Sequence, residues 1–209
     1  MKRIYVVGAG GHGAVVAEIA GLTGYDILGF VDDDSQKCDC EVLGYRVIGP
    51  KELIPDGSMV VMGIGLNNTR RELFDYGKSH GWIFPVIIHP SAIISPSASI
   101  GEGTVVVAQA VVNSQAIIGQ GCILNTSCSV GHDCVISDLA HISSGVRLAG
   151  GVHVGCETLV GIGSCARPLI SIGSGCIIGA GSVVVSDIPD GVTAFGNPAR
   201  VQPLRGHSQ

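Results

Sequence analysis

Residues 118–141 read IGQGCI LNTSCS VGHDCV ISDLAH when they are written in blocks of six. The aliphatic residue that opens each block recurs at every sixth position from Ile88 to Val184 without an insertion. Of the seventeen residues in this series, sixteen are Ile, Leu or Val, and the other is Ala166. A six-residue period of this length is typical of a solenoid and fits neither an α-helix nor an ordinary strand. It predicts a three-sided parallel β-helix with three hexads per coil, so that the seventeen hexads form between five and six coils.

The other positions of the hexad indicate how the chain turns. The residue four after each aliphatic is small or slim from Ala98 to Ser182, which predicts a narrow interior. The residue directly after each aliphatic is Gly at seven of the sixteen positions from Ser95 to Val185, and Asn at two. Because Gly, and next to it Asn, tolerates positive φ, this position is predicted to form the left-handed corner between strands.

The first part of the chain has the organisation of a small α/β unit. Apolar runs at 2–7, 27–31 and 59–64 read as strands, and helical patterns follow at 14–20 and from 65 to 76. Strands that alternate with helices predict a parallel sheet with its ligand crevice at the carboxyl ends of the strands. The sequence thus predicts an α/β domain at 1–85 and a β-helix domain at 86–209 that ends in a short tail.

A glycine-rich loop follows the first predicted strand. It reads GAGGHG at 8–13, which has the G-x-G-x-x-G spacing of a dinucleotide fingerprint, and Asp32 and Asp33 follow about twenty positions later. Three or four strands are too few for the two halves of a full dinucleotide fold. A nucleotide diphosphate at the helix N-terminus fits better. A tight strand-to-helix turn without a ligand is the alternative interpretation.

Composition argues against several classes of partner. The net charge is −5 at pH 7 and the sequence has no basic run, which argues against a nucleic-acid or anionic-membrane surface. The apolar run before Gly8 is too short for a signal peptide, and no stretch has the length of a membrane span. We therefore expect a cytoplasmic protein that binds neither nucleic acid nor a membrane.

The eight cysteines raise the question of metal binding or disulfides. Cys122, Cys128 and Cys134 lie six residues apart, so they fall on three successive faces of the predicted prism. A buried thiol there acts as a small apolar filler. Cys38 and Cys40 have no second pair at zinc spacing. The sequence predicts no metal site, and reduced thiols are typical of the cytoplasm.

One segment of the solenoid carries residues suited to acid–base chemistry. His132 lies two positions after an inward-pointing aliphatic, so it is predicted to project outward beside Asp133. A histidine next to a carboxylate is equipped to act as a general base. His141 lies nine residues later, half a coil away, so the two histidines are predicted to share a site only across a subunit interface. His153 has no acidic neighbour and is interpreted as an isolated, exposed histidine without a role. Asn125 is at a predicted corner position, where the backbone preference of Asn would be enough to account for the residue.

Taken together, these motifs resemble one family. They are GAGGHG at 8–13, Val31-Asp32-Asp33, the uninterrupted hexads, Asn125-Thr126, Gly131-His132-Asp133, His141 and GNPAR at 196–200. In this order they are similar to the sialic acid O-acetyltransferase (NeuD/PglD-like) family of hexapeptide-repeat acetyltransferases. This family includes the enzymes that N-acetylate nucleotide-linked 4-amino sugars, and the chain resembles that type. The resemblance implies a Rossmann-like α/β domain, a left-handed parallel β-helix and an acyltransferase that uses acetyl-CoA.

The resemblance also implies roles for particular residues. His132 would be the general base for the sugar amine, oriented by Asp133, where the family often carries the longer Glu. The residues implied to hold the nucleotide sugar are Gly8, Gly10, Gly11, His12, Gly13, Asp32, Asp33, Gly65 and Asn67. The residues implied to hold acetyl-CoA are Asn125, His141, Gly150, Gly161, Ile162, Gly179, Ala180 and Pro198, with the Gly150 N–H facing the thioester oxygen. A homotrimer that needs no metal is implied as well.

Three other functions fit parts of the sequence. An O-acetyltransferase for free sialic acid would use the same chemistry on a hydroxyl, although sialic acid has no diphosphate for the glycine loop. A zinc hydratase of the γ-carbonic anhydrase type needs three converging histidines, and His132, His141 and His153 lack its spacing. A non-catalytic sensor or scaffold would bind the nucleotide sugar without acetyl-CoA.

Overall fold

The computed structural model of the chain describes residues 2–203, and the end of the predicted tail, 204–209, lies outside them. Its first elements form the predicted α/β unit. They are β1 (Lys2–Val7), α1 (Gly11–Leu22), β2 (Tyr25–Val31), β3 (Glu41–Val42), β4 (Tyr45–Arg46), β5 (Val60–Met62) and α2 (Asn67–Ser79), with 3-10 turns at Ser35–Lys37 and Lys51–Leu53. β1 pairs in parallel with β2 and β5, which gives a three-stranded sheet in the order β2-β1-β5.

Helix α1 begins at Gly11, three residues before the predicted start at Ala14. The Gly10 carbonyl accepts a hydrogen bond from the Ala14 N–H at 3.0 Å, which closes the first turn. Glycine has a low helix propensity, so the glycine-rich segment 8–13 shows no helical pattern. The helix N-terminus, with its unpaired N–H groups, therefore lies inside the glycine loop. The antiparallel hairpin of β3 and β4 was not predicted either, since two-residue strands are too short to show alternation.

Seventeen two-residue strands form the solenoid, and each residue of the six-residue aliphatic series is the second residue of one strand. The strands are β6 (Ile87–Ile88), β7 (Ile93–Ile94), β8 (Ser99–Ile100), β9 (Val105–Val106), β10 (Val111–Val112), β11 (Ile117–Ile118), β12 (Ile123–Leu124), β13 (Ser129–Val130), β14 (Val135–Ile136), β15 (His141–Ile142), β16 (Arg147–Leu148), β17 (His153–Val154), β18 (Leu159–Val160), β19 (Cys165–Ala166), β20 (Ser171–Ile172), β21 (Ile177–Ile178) and β22 (Val183–Val184). Two further strands follow, β23 (Thr193–Phe195) and β24 (Arg200–Val201).

The strands stack into three faces. From β6 to β19 each strand pairs in parallel with the strand one coil later, as Val112 does with Val130 and Val130 with Leu148. The six-stranded face runs from β7 to β22, the five-stranded face from β8 to β20, and the eight-stranded face from β6 to β24. The predicted three-sided parallel β-helix behind a small α/β unit is thereby confirmed.

The prism interior is filled by the two side-chain series that the sequence predicts. Val130 from the aliphatic series and Cys134 from the small series are both fully buried, at 0% exposure. Cys122 and Cys128 are buried in the same way, and burial raises the pKa of each thiol to about 12. These cysteines are therefore protonated fillers, as predicted, and not nucleophiles.

The predicted position of the left-handed corners is wrong. From Ile100 to Ile178 the backbone enters positive φ three residues after each aliphatic, half the time at residues other than glycine: Gly103, Gln109, Gln115, Gly121, Ser127, Asp133, Leu139, Gly145, Gly151, Glu157, Gly163, Leu169, Gly175 and Gly181. The glycines directly after the aliphatics serve the stacking of coils. A Cβ on Gly131 would lie 2.6 Å from the carbonyl carbon of Ala149, and one on Gly161 would lie 2.5 Å from the Ile178 oxygen. Positive φ and the close approach of neighbouring coils both favour glycine, so composition alone does not distinguish these two roles.

The α/β unit packs on the eight-stranded face and on the corner that precedes it. Apolar side chains of β1, α1 and β2 share one buried cluster with Ile87, Val105 and Val107 of the solenoid. Phe74 of α2 packs at the corner, where a Cβ on Gly103 would lie 3.1 Å from its ring. This packing holds the carboxyl edge of the three-stranded sheet against the solenoid. Across the described residues, no helix is both long enough and apolar enough to cross a membrane.

Candidate active site

His132 and Asp133 lie at the corner between the six-stranded and five-stranded faces, which we call the His132 corner. The imidazole Nδ1 lies 2.6 Å from Asp133 Oδ2, so the shorter aspartate does reach the ring. An ionised carboxylate only accepts, so Nδ1–H donates to it, and in the neutral imidazole the lone pair is then on Nε2. Both side chains are more than half exposed, and within residues 2–203 Nε2 has no hydrogen-bond partner. The pair therefore presents a basic nitrogen to solvent.

Gly150 lies one coil further along the His132 corner, directly beneath the imidazole. A Cβ on Gly150 would lie 2.5 Å from His132 Cε1 and Nε2, so any larger residue would displace the ring. The Gly150 carbonyl accepts from Leu169, whereas its N–H donates to no backbone acceptor in the described part of the chain. A basic nitrogen and a free amide donor thus lie side by side, as proton transfer with oxyanion stabilisation requires.

A second group of predicted residues lies at another corner, between the eight-stranded and six-stranded faces. Asn125, Gly161 and Gly179 fall on this Asn125 corner, because they are separated by whole coils. Ile162 beside Gly161 is 59% exposed, and Ala180 beside Gly179 is exposed as well. These small and apolar residues form an exposed edge at a different corner from His132. Pro198 lies beyond the last coil, after a cis peptide bond from Asn197.

The Asn125 corner continues into a buried polar cluster that includes His141 at the start of β15. The Asn125 side-chain nitrogen lies 3.3 Å from His141 Nε2, and His141 Nδ1 lies 3.3 Å from the Gly65 carbonyl. Nδ1 therefore donates to the carbonyl and Nε2 accepts from the amide, so both ring nitrogens are engaged. Asn125 does not have positive φ, so its side-chain contact explains it better than backbone preference.

His12 of the glycine loop packs beside His141, with their ring centroids 6.5 Å apart and the ring planes inclined by 28°. Burial, with a contribution from the Arg70 charge, lowers the pKa of each imidazole to about 4. The His12 Nε2 is buried and has no hydrogen-bond partner among the described residues. Both histidines are neutral at physiological pH, so this cluster is polar without being basic.

Arg70 of α2 joins the cluster to the solenoid. Its side chain is 1% exposed and donates to the carbonyls of Gly121 and Leu139 at 2.8 and 2.6 Å. It also donates to the carbonyls of Ile64 and Gly65 and to the side chain of Asn67. Burial lowers the pKa of the guanidinium to about 10, which leaves it charged at neutral pH.

Two of the loop glycines are explained by packing and two are not. A Cβ on Gly8 would lie 2.7 Å from the Gly63 oxygen, and one on Gly13 would lie 1.8 Å from the Gly8 oxygen. These glycines let the loop, the helix and β5 approach closely, as the turn interpretation requires. A Cβ on Gly10 or Gly11 would meet nothing within 4 Å. Open space beside the N-terminus of α1 is instead consistent with a bound anion.

Asp32 and Asp33 line a cavity of about 450 Å³ at the carboxyl edge of the sheet, together with Gly8 and residues of α2. Asp32 accepts from the Ala9 N–H and the Lys37 ammonium, both at 2.8 Å. Burial opposes ionisation, but these bonds and one from the Asp34 N–H hold the pKa of Asp32 below its usual value. Asp33 accepts from Lys51 at 2.7 Å. Both carboxylates are therefore charged partners of lysines.

The buried histidines give folding a pH dependence. Their pKa of about 4 in the folded state lies below the ordinary 6.5, so the unfolded chain takes up protons first as the pH falls. We expect the free energy of unfolding to be highest above pH 6.5, to fall between about 6.5 and 4, and to fall no further from this cause below that. His141→Gln, which cannot titrate, should flatten this slope in urea unfolding at pH 7.5, 5.5 and 4.5. The exposed His153→Gln should keep the wild-type slope, and equal slopes in all three proteins would contradict the assignment.

The structure groups the predicted residues into three places within one chain. His132, Asp133 and Gly150 share one corner, and the other solenoid residues lie at or near the Asn125 corner, with Pro198 beyond the coils. The residues predicted to hold the nucleotide sugar belong to the α/β unit, where His12 and Gly65 lie beside His141. Asn67 donates instead to the Glu157 carbonyl. No group of three or more metal-ligating side chains occurs in residues 2–203. Sequence reasoning gave no role to Arg70 or to the cavity residues Lys51, Thr69, Glu72 and Tyr76, although 69, 72 and 76 have the spacing of one helix face.

A hexapeptide solenoid with a histidine–carboxylate pair at one corner and an α/β unit docked on one face defines a hexapeptide-repeat acetyltransferase with an added N-terminal α/β domain. The PglD N-terminal domain family matches residues 3–76. PerB from Caulobacter crescentus, solved with CoA and GDP-perosamine, has a TM-score of 0.91 and 36% identity over 97% of this chain and 98% of that one. The acetyltransferase domain of PglB from Neisseria gonorrhoeae has a TM-score of 0.90 and 42% identity over 97% and 100%. The chain belongs to the NeuD/PglD-like family of acetyltransferases.

Matches to curated relatives are shorter. A Staphylococcus aureus (strain COL) protein named as an acetyltransferase is 46% identical over 50 residues. That segment is 24% of this chain and spans only 25% of the relative. These relatives therefore support the acetyltransferase class and not a particular substrate.

Proposed function

We propose that this protein transfers the acetyl group of acetyl-CoA to the amine of a nucleotide-linked 4-amino-4,6-dideoxy sugar, in bacterial surface glycan biosynthesis. The observation that carries the proposal is the His132 corner, where Nδ1 is bound to Asp133 at 2.6 Å and Nε2 is free above Gly150. A family member solved with CoA and GDP-perosamine supports this pair of ligands. The cavity and the open glycine loop of the α/β unit supply a place for the nucleotide.

His132 acts as the general base in a direct transfer. The sugar amine attacks the thioester carbonyl, and His132 Nε2 accepts the proton that the nitrogen loses. Asp133 holds the ring by its Nδ1–H and stabilises the imidazolium that forms. The Gly150 N–H donates to the carbonyl oxygen as it becomes an oxyanion. When the tetrahedral intermediate collapses, the C–S bond breaks and the imidazolium returns the proton to the departing thiolate. The base and the oxyanion donor both come from the protein, so the step needs no metal ion.

The nucleotide sugar occupies the crevice of the α/β unit. Its diphosphate lies at the N-terminus of α1, where Gly10 and Gly11 leave open space beside unpaired N–H groups. Gly8 and Gly13 shape the loop, and Asp32 fixes it through the Ala9 N–H. His12, Gly65 and Asn67 border the path from the crevice to the solenoid.

Acetyl-CoA lies along the Asn125 corner, over Gly161, Ile162, Gly179 and Ala180 and near Pro198. His141 and Asn125 are close to its acetyl end. Because the His132 corner and the Asn125 corner are different edges of one prism, a ligand that contacts both requires two prisms. We therefore propose a homotrimer in which the His132 corner of one subunit faces the Asn125 corner of the next. The eight cysteines are free thiols, which supports a cytoplasmic location.

The proposal is tested by thiol release from acetyl-CoA with a panel of acceptors. The panel contains UDP-, GDP- and dTDP-linked 4-amino-4,6-dideoxy sugars and free sialic acid. We expect turnover with at least one nucleotide-linked amino sugar and none with sialic acid. Turnover with sialic acid alone would assign O-acetylation instead, and the absence of thiol release with every acceptor in the panel would contradict the proposed transfer. Light scattering that shows a monomer would contradict the two-corner site.

A further inference from the structure

The cavity at the carboxyl edge of the sheet has one wall made by a helix face. Thr69, Glu72 and Tyr76 of α2 all line it, and their spacing of three and four residues places them on one side of the helix. Asp33 and Lys51 also line the cavity. Val7, Ile64 and Leu73 line the cavity as well, and an apolar lining with a few polar groups is typical of a small-molecule site.

Glu72 is the carboxylate of this cavity that remains available. Asp32 binds Lys37 at 2.8 Å and Asp33 binds Lys51 at 2.7 Å, so both are already ion-paired. Glu72 forms no hydrogen bond or ion pair in the described part of the chain, and its neighbour Arg71 binds Glu157 instead. Glu72 therefore offers two carboxylate oxygens as acceptors to whatever enters the cavity.

Lys51 offers a donor at the same end of the cavity. Its ammonium lies 2.7 Å from Asp33 and 3.2 Å from Glu52, and 5.4 Å from the centre of the Tyr76 ring. An ammonium has three protons, so two carboxylate partners leave one for a ligand. Tyr76 is one helical turn after Glu72, which brings the cation and the unpaired carboxylate to the same helix face.

The nucleobases differ in how well their hydrogen-bonding edges match a donor from Lys51 and an acceptor from Glu72. Guanine presents, in a row, the O6 acceptor and the N1–H and N2–H donors, so one cation and one carboxylate satisfy all three. Uracil and thymine present a single N–H between two carbonyl oxygens, so a carboxylate there gains one bond and faces a repelling oxygen. Adenine offers one donor beside an acceptor nitrogen.

We propose that the base of the nucleotide-linked sugar is guanine, with Glu72 accepting from N1–H and N2–H and Lys51 donating to O6. The inference rests on the proposed function, since it concerns the nucleotide carried by the acceptor sugar. Paired hydrogen bonds to a charged acceptor are the strong kind, and a ligand without the matching donors gains neither of them. Glu72 is thus a specificity-determining residue.

Isothermal titration of the full chain with GDP, UDP and dTDP tests this assignment. We expect GDP to bind at least about tenfold more tightly than UDP or dTDP. Glu72→Gln replaces one acceptor with a donor, so it should weaken GDP by about 10–100-fold and change UDP and dTDP by less than about twofold. The matched control is Glu18→Gln on the exposed side of α1, outside the cavity, which should leave all three affinities unchanged.

Two results would overturn the guanine assignment. One is UDP or dTDP binding as tightly as GDP in the wild type, and the other is an equal loss for all three nucleotides in Glu72→Gln. Failure here is distinguishable from failure of the proposed function. Acetylation of a UDP-linked amino sugar would refute guanine and keep the transfer, whereas selective GDP binding without acetylation of any amino sugar would do the reverse.

Discussion

His132→Ala is expected to lower kcat for acetyl transfer by about 10²–10⁴-fold, the usual contribution of a positioned general base. The imidazole Nε2 is the basic nitrogen of the His132 corner, and the Asp133 contact at 2.6 Å fixes its tautomer. Removing the ring leaves the Gly150 N–H in place, so oxyanion stabilisation and acetyl-CoA binding should persist. The expected signature is a large loss of kcat with the affinity for acetyl-CoA changed by no more than about twofold.

The control for this variant is His153→Ala. His153 lies on β17 of the same solenoid, is exposed and has no carboxylate neighbour in sequence, so its removal should leave kcat unchanged. His141 cannot replace His132, because its Nε2 already accepts from Asn125 and its Nδ1 donates to Gly65. A kcat for His132→Ala within about threefold of the wild type would remove His132 from the mechanism.

The fold was readable from the sequence because its determinant is local and repeated. Each aliphatic such as Val130 pairs with its counterpart one coil later, and the small residue between, such as Cys134, fills the same interior. Repetition over seventeen strands averages out exceptions such as Ala166. The predicted role of the glycines that directly follow the aliphatics was wrong. Gly131 is glycine because a side chain there would clash with the backbone of the next coil. Asp133 adopts the left-handed backbone conformation at the corner although it is not glycine.

The candidate site could be predicted from the sequence only where its residues are neighbours in sequence or are separated by one coil. His132 and Asp133 are neighbours, and the eighteen-residue coil places Gly150 beneath them. The solenoid partners of Arg70 lie 51 and 69 residues away, and the Gly65 contact of His141 spans 76 residues. No repeat relates these segments, because they join the α/β unit to the solenoid. Glu72 was missed for a similar reason, since an exposed helix glutamate acquires meaning only from the cavity it faces.

Arg70→Met is expected to lower the free energy of unfolding by about 3–5 kcal/mol. Methionine keeps much of the buried volume, so the loss comes from polar groups and not from a cavity. The guanidinium donates to four backbone carbonyls and to Asn67, and its removal leaves buried oxygens such as those of Gly121 and Leu139 without a donor. The variant no longer has the desolvation cost of a buried guanidinium, and this offsets part of the loss in the free energy of unfolding. Five bonds from a charged donor, each about 1.5–3 kcal/mol, outweigh that relief.

Arg71→Met supplies the matched comparison, because it makes the same substitution at the next position of the same helix. Arg71 is partly exposed and pairs with Glu157, so its loss should be below about 1 kcal/mol. Urea unfolding at fixed protein concentration, followed by the fluorescence of the single tryptophan, Trp82, measures both variants. Trp82 is buried in the same apolar cluster as Phe74 of α2 and reports on the α/β unit that Arg70 holds. If Arg70→Met is as stable as Arg71→Met, the buried guanidinium does not join the two parts of the chain, and their apolar contacts alone carry the interface.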